Sequence, residues 1–208
     1  MADTETVLLI HGGLWEDTGA DAFWRRTGII DGLSERGLDV IAPDRPRRAT
    51  DWPAEARHLA GAIGDEHGLT VVGGSFGCAA AVRLALDFPL VTRRLVLAWP
   101  AALADQFTTI RMRAVLSRQG ARGSTLDALL GDETLPGASD RELAGLPVPV
   151  GIIPADPPDP LHARSTVDAL LRLFPSATEL PGCPEAPRPE FLPHREAFLD
   201  AVAAFTAG

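Results

Sequence analysis

The stretch Leu69 to Phe88, LTVVGGSFGCAAAVRLALDF, limits the fold of this chain more than any other. Leu69 to Val72 is short, apolar and partly β-branched, so it reads as a buried strand. Cys78 to Leu86 is rich in Ala and Leu and reads as a helix. Between them stands Gly73-Gly74-Ser75-Phe76-Gly77, a G-x-S-x-G turn. A serine on a sharp strand-to-helix turn has strained backbone angles and close neighbours, and Gly73 and Gly77 suit that crowding. The turn lifts the Ser75 hydroxyl off the sheet edge, and the helix N-terminus behind it turns free amides toward a developing anion. Strand before and helix after make this a nucleophile elbow rather than an incidental Gly-Gly turn.

The neighbouring sequence repeats the same rhythm. Thr6 to Ile10 is an uncharged apolar strand that ends in His11-Gly12-Gly13-Leu14-Trp15. Asp21 to Arg36 reads as one amphipathic helix, Leu38 to Ala42 as a strand, and Asp51 to about His67 as a helix capped by Asp51. Arg94 to Ala98 is a further strand. Alternating strands and helices signify a parallel sheet covered on both faces. The rhythm breaks over Ala101 to Leu146, where helices are predicted at Ala102 to Gln119 and Ser124 to Leu130 and no strand is visible. Val148 to Ile153 resumes the sheet. A Pro-rich loop, Pro154 to His162, leads to a helix from about Ala163 to Phe174 and a short strand near Thr178 to Leu180. The terminal helix carries Phe198, Val202 and Phe205 on one stripe.

The chain has 208 residues, with a formal net charge of -9. An acidic chain without a basic stripe argues against nucleic acid and against anionic membranes as partners. The N-terminal apolar run is too short for a signal peptide or membrane span, so a cytoplasmic protein is expected. Cys78 and Cys183 form no disulfide framework. No metal-ligand spacing or phosphate loop is present, and no metal or cofactor is expected. His58 and His67 fall on an outer helix and read as solvated.

These residues resemble a small α/β-hydrolase. The resemblance is carried by His11-Gly12-Gly13 after the first strand, Ala42-Pro43-Asp44-Arg45-Pro46 after the second and the Ser75 elbow. An Asp-bearing loop after Ile153 and the Leu180-Pro181-Gly182 segment before a terminal amphipathic helix complete it. It implies an α/β fold with a mostly parallel sheet of about six strands, in one domain over residues 1–208 with residues 101–146 as a short helical cap. It implies Ser75 as nucleophile and an oxyanion hole from the amide of Phe76 and that of Leu14 or Gly13, with the side chain of His11 bracing the turn. The acid is expected at Asp159, with Asp156 as the alternative. For the base the order Ser, acid, His leaves His162 and His194. His162 shares a loop with Asp159 and reads as poorly placed between acid and serine. His194 lies before the terminal helix, as the family histidine does, and is the expected base. The position after Gly182, where a family histidine usually stands, reads Cys183-Pro184-Glu185. Trp15 and Trp99, just past strand ends, are candidates to line the pocket, with core packing as the alternative for each. The expected activity is cleavage of an ester or thioester bond of a small apolar molecule through an acyl-enzyme. The alternatives are a non-hydrolytic lyase, cyclase or isomerase on the same fold, or an inactive ligand-binding relative without a competent histidine.

Overall fold

The computed structural model describes residues 4–103 and 105–208, so residue 104, within the predicted helix from Ala102, lies outside the described residues. Six strands form one sheet: β1 (Thr6–Ile10), β2 (Asp39–Ile41), β3 (Leu69–Gly74), β4 (Thr92–Ala98), β5 (Val150–Ile153) and β6 (Ala177–Glu179). Their spatial order is β2-β1-β3-β4-β5-β6 and every pairing is parallel. The order reverses between β1 and β3, so their carboxyl ends open a crevice where side chains from separate loops converge.

Alternation along the strands sorts the core into two layers. Leu8, Ile10, Leu69, Val71, Leu95, Leu97, Val150 and Ile152 face one side, under α2 (Trp52–Ile63), α3 (Gly77–Asp87) and α7 (Arg164–Leu173). Val7, Leu9, Val72, Val96, Ala98 and Ile153 face the other, under α1 (Ile29–Glu35) and α8 (Arg195–Ala207). The Phe198 and Val202 stripe of α8 is buried in that second layer, as its spacing predicts. The Asp51 side chain accepts from the Ala54 amide at 2.7 Å, which caps α2; such a cap contributes about 1 kcal/mol.

Two local expectations change. The helix predicted over Asp21 to Arg36 is divided: Asp21–Arg25 forms one wide π-type turn, and Gly28, with φ of 76°, interrupts the chain before α1 begins. Between β4 and β5 the chain forms α4 (Gln106–Arg118), α5 (Gly123–Leu129) and a third short helix, α6 (Asp140–Ala144). Ser139 and Glu142 close a reciprocal capping box at the start of α6, beyond the two helices that the sequence predicts in this region.

Candidate active site

Ser75 follows the last residue of β3 and precedes α3, with φ of 53°. Its amide donates to the Ala98 carbonyl at 2.9 Å, which ties the elbow to β4. The flanking glycines are required by close approach. A Cβ on Gly73 would stand 2.6 Å from the Gly77 carbonyl oxygen and 2.7 Å from Cys78 Cα. One on Gly77 would strike the Ile10 carbonyl. Neither neighbour can yield, because both are backbone in the sheet-helix core.

The partner of Ser75 is His162. Its Nε2 lies 2.9 Å from Ser75 Oγ, and its Nδ1 lies 3.0 Å from Asp159 Oδ1. Ser75 and His162 are both buried, whereas Asp159 keeps about a quarter of its side chain exposed. A tight turn makes this possible over a spacing of three residues. Asp159 Oδ1 also accepts from the backbone amides of Leu161 at 2.9 Å and His162 at 3.0 Å, which curls the loop around the carboxylate. The Ala102 amide donates to the Leu161 carbonyl at 2.9 Å and pins the loop against the chain leaving β4. Partial burial pushes the Asp159 carboxyl up. The His162 charge, the bonds from its ring and backbone, and Arg188 outweigh this and hold it well below the usual carboxylate range. Arg188 Nη2 donates to Asp159 Oδ2 at 2.9 Å.

Two sequence expectations are corrected here, the base and the pocket tryptophans. His194 is exposed at the junction of the short 3₁₀ turn Pro189–His194 with α8, and it is His162 that the fold brings to Ser75. Asp159, the expected acid, meets that histidine, and the alternative Asp156 is exposed. Neither tryptophan lines the cavity in front of Ser75. Trp99, with φ of 51°, turns into the second core layer, stacks on Phe198 at 5.2 Å and donates to the Cys183 carbonyl at 2.9 Å. Trp15 donates to the Ala49 carbonyl at 2.9 Å and lies under Arg48.

The turn after β1 is held from below. His11 Nδ1–H donates to the Gly12 carbonyl at 2.8 Å and its Nε2 accepts from the Arg45 amide at 2.9 Å, so the ring is neutral and braces the chain. Burial lowers its basicity, consistent with that role. Arg45, buried, reaches the Gly13 carbonyl at 2.6 Å and the His11 carbonyl at 3.0 Å while its other nitrogens pair with buried Glu55 at 2.8 and 2.9 Å. The amides of Leu14 and Phe76 make no hydrogen bond among the described residues. Gly13 and Phe76 border a cavity of about 320 Å³ in front of Ser75, closed by Phe23, Met112, Leu161, His162 and Glu185. A mostly apolar groove of about 380 Å³ adjoins it along α4, formed by Phe107, Met112, Val115, Pro160 and Leu161.

A family model described as the alpha/beta hydrolase family matches residues 7–206. The chain belongs to the α/β-hydrolase family. Solved structures of similar fold include the meta-cleavage product hydrolase from Pseudomonas fluorescens, at 20% identity, 98% coverage of this chain, 90% of that one and a TM-score of 0.71. They also include N-formylmaleamic acid deformylase from Pseudomonas putida, at 18% identity, 96% and 92% coverage and a TM-score of 0.64. NosK from Streptomyces actuosus matches at 22% identity, 98% and 97% coverage and a TM-score of 0.66. At these identities the likeness establishes the α/β-hydrolase fold. No helix among the described residues is long and apolar enough to cross a membrane.

Proposed function

We propose that this α/β-hydrolase is a serine hydrolase that cleaves an ester or thioester bond of a small, largely apolar molecule. The observation that carries the reading is the unbroken chain Ser75 Oγ, His162, Asp159, at 2.9 and 3.0 Å, on a nucleophile elbow. Ser75 Oγ attacks the acyl carbon while His162 Nε2 takes its proton, and Asp159 fixes the tautomer through Nδ1–H. The amides of Phe76 and of Leu14 or Gly13 receive the oxyanion, a pair of donors that together remove several kcal/mol from the barrier. The proton then passes from Nε2 to the leaving group, the acyl–oxygen or acyl–sulfur bond breaks, and water repeats the sequence on the acyl-enzyme. The groove beside α4 receives the apolar part of the substrate, and residues 101–146 act as a cap over one domain. The alternative of non-hydrolytic or inactive use rested on a missing base, and it loses that support with His162 beside Ser75.

The test is turnover of a short p-nitrophenyl ester, with fluorophosphonate labelling of the serine. Ser75→Ala and His162→Ala should each lose at least about 10³-fold in kcat/KM. His194→Ala should stay within about twofold, as an exposed side chain remote from the reacting atoms. Full activity in His162→Ala would overturn the assignment.

A further inference from the structure

Glu185 stands where the family resemblance leads one to expect a histidine, and its carboxylate faces the reactive edge of the imidazole. Oε1 lies 3.6 Å from His162 Nε2, the same nitrogen that meets Ser75 Oγ. The side chain is 12% exposed. Its loop is tied to the acid loop through Cys183, whose amide donates to the Pro154 carbonyl at 3.2 Å and whose carbonyl accepts from the Asp156 amide at 3.1 Å. Its other oxygen pairs with Arg188 at 3.1 Å, and the same Arg188 nitrogen holds Asp159. One arginine thus secures two carboxylates, one on each side of a single imidazole.

We infer that Glu185 is a charge-positioning residue, holding a carboxylate against His162 Nε2 that stabilises the histidine only while it carries the serine proton. The inference rests on the serine-hydrolase reading above. In the resting site Nδ1–H donates to Asp159, so Nε2 presents a lone pair, and that lone pair accepts from Ser75. A carboxylate 3.6 Å from a lone pair gains nothing from it. After Ser75 Oγ bonds to the acyl carbon and its proton moves to Nε2, the same carboxylate faces an N–H of a cation in a buried site. The interaction is then attractive and little screened. It is stronger in the charge-separated state than in the ground state, which is the condition for lowering a barrier. Glu185 takes no proton itself; the proton on Nε2 goes on to the leaving group.

The charged groups around the ring are few. Asp159 is on its own loop, Glu185 and Arg188 come from the loop after β6, Glu190 lines the cleft on the Arg188 side, and Glu16 borders the cavity from the turn after β1. Burial and the Glu185 charge push the Glu16 carboxyl up, so two carboxylates already share the field of this pocket. Of these, Glu185 alone contacts Nε2.

The isosteric, neutral Glu185→Gln separates charge from shape. Two readouts are made: steady-state hydrolysis of p-nitrophenyl acetate across pH, and NMR titration of the His162 ring. A drop of about tenfold in kcat with KM within about twofold is expected. The ring should also release its proton at lower pH in Glu185→Gln than in the parent, and the acid limb of kcat/KM should move down with it. A purely structural role would move neither the limb nor the titration. Glu185→Asp, which keeps the charge one methylene further away, should fall between the two and serves if Glu185→Gln does not fold. An unmoved ring titration with Ser75→Ala and His162→Ala inactive sinks the Glu185 role alone. Turnover surviving in those two variants sinks the serine-hydrolase reading, and the ring titration still decides what Glu185 does to His162.

Discussion

Asp159 and His162 are joined by a single carboxylate oxygen: Oδ1 accepts from the imidazole Nδ1–H at 3.0 Å and from the backbone amide of the same histidine at 3.0 Å. The proposed acid and base therefore come from one turn of one loop. The relative position of the pair depends on local hydrogen bonds rather than on the docking of two distant segments, and only its approach to Ser75 depends on the tertiary fold.

That shared oxygen gives Asp159→Asn a double signature. The amide can still accept from backbone, but it no longer fixes the Nδ1–H tautomer with a charge. Loss of about 10³- to 10⁴-fold in kcat is expected, the scale of a triad acid replaced by its amide. Stability follows with a defined sign. The folded carboxyl is held below its unfolded value, so its contribution is present above the ordinary carboxylate range and is lost as pH falls through and below it. Urea unfolding at pH 7 should find Asp159→Asn less stable than the parent, and the gap should narrow toward pH 3. A gap independent of pH would argue against the Asp159 charge as its source.

Ser75 sits at φ of 53°, in the left-handed region, at the apex of the strand-to-helix turn. A residue with a Cβ is strained there by about 1–2 kcal/mol, partly offset in glycine by about 0.5–1 kcal/mol of chain entropy. Ser75→Gly should thus equal or exceed Ser75→Ala in stability, by up to about 1 kcal/mol, while both lose the hydroxyl and the same activity. Chemical denaturation of the two variants side by side checks this. A clearly more stable Ser75→Ala would mean that the elbow stores no strain.

The legible parts of this chain are those its local sequence dictates. The elbow announces itself because strand, glycines and helix are contiguous, and the two core layers follow because strands such as Thr6 to Ile10 are apolar throughout, so that successive side chains fill opposite faces of the sheet. The base is hidden because a histidine three residues from the acid, on the same loop, reads as poorly placed between acid and serine. The turn that reverses this is closed by a side chain, Asp159, and the signal for it is an Asp-Pro-x-His run in which Asp caps the amides two and three residues on. Trp99 was misplaced for a different reason. A position just past a strand does not say to which face of the sheet the side chain turns, and here a positive φ sends it under α8. Gly28 divided a helix whose periodicity continues across it, since apolar spacing does not register a single left-handed residue.

The turn that carries Gly13 and Leu14, whose amides belong to the proposed oxyanion hole, is held by a buried ion pair, so stability and activity can be separated there. Arg45 links Glu55 to the carbonyls of His11 and Gly13. Arg45→Met leaves Glu55, 1% exposed, as an unpaired buried charge, which costs about 3–5 kcal/mol. Arg45→Met with Glu55→Leu removes both charges and should recover most of that loss, since a well-packed apolar pair substitutes for a buried ion pair at little cost. Activity should not return with it. The Gly13 carbonyl has lost its 2.6 Å donor, so the amides next to it are no longer held at the oxyanion position. Displaced donors cost about 10²-fold in kcat. The check is a double-mutant cycle read twice, by denaturant midpoint and by ester turnover. Recovery of both together would mean that Arg45 serves the core alone, whereas recovery of stability without turnover would assign it to the geometry of the oxyanion turn.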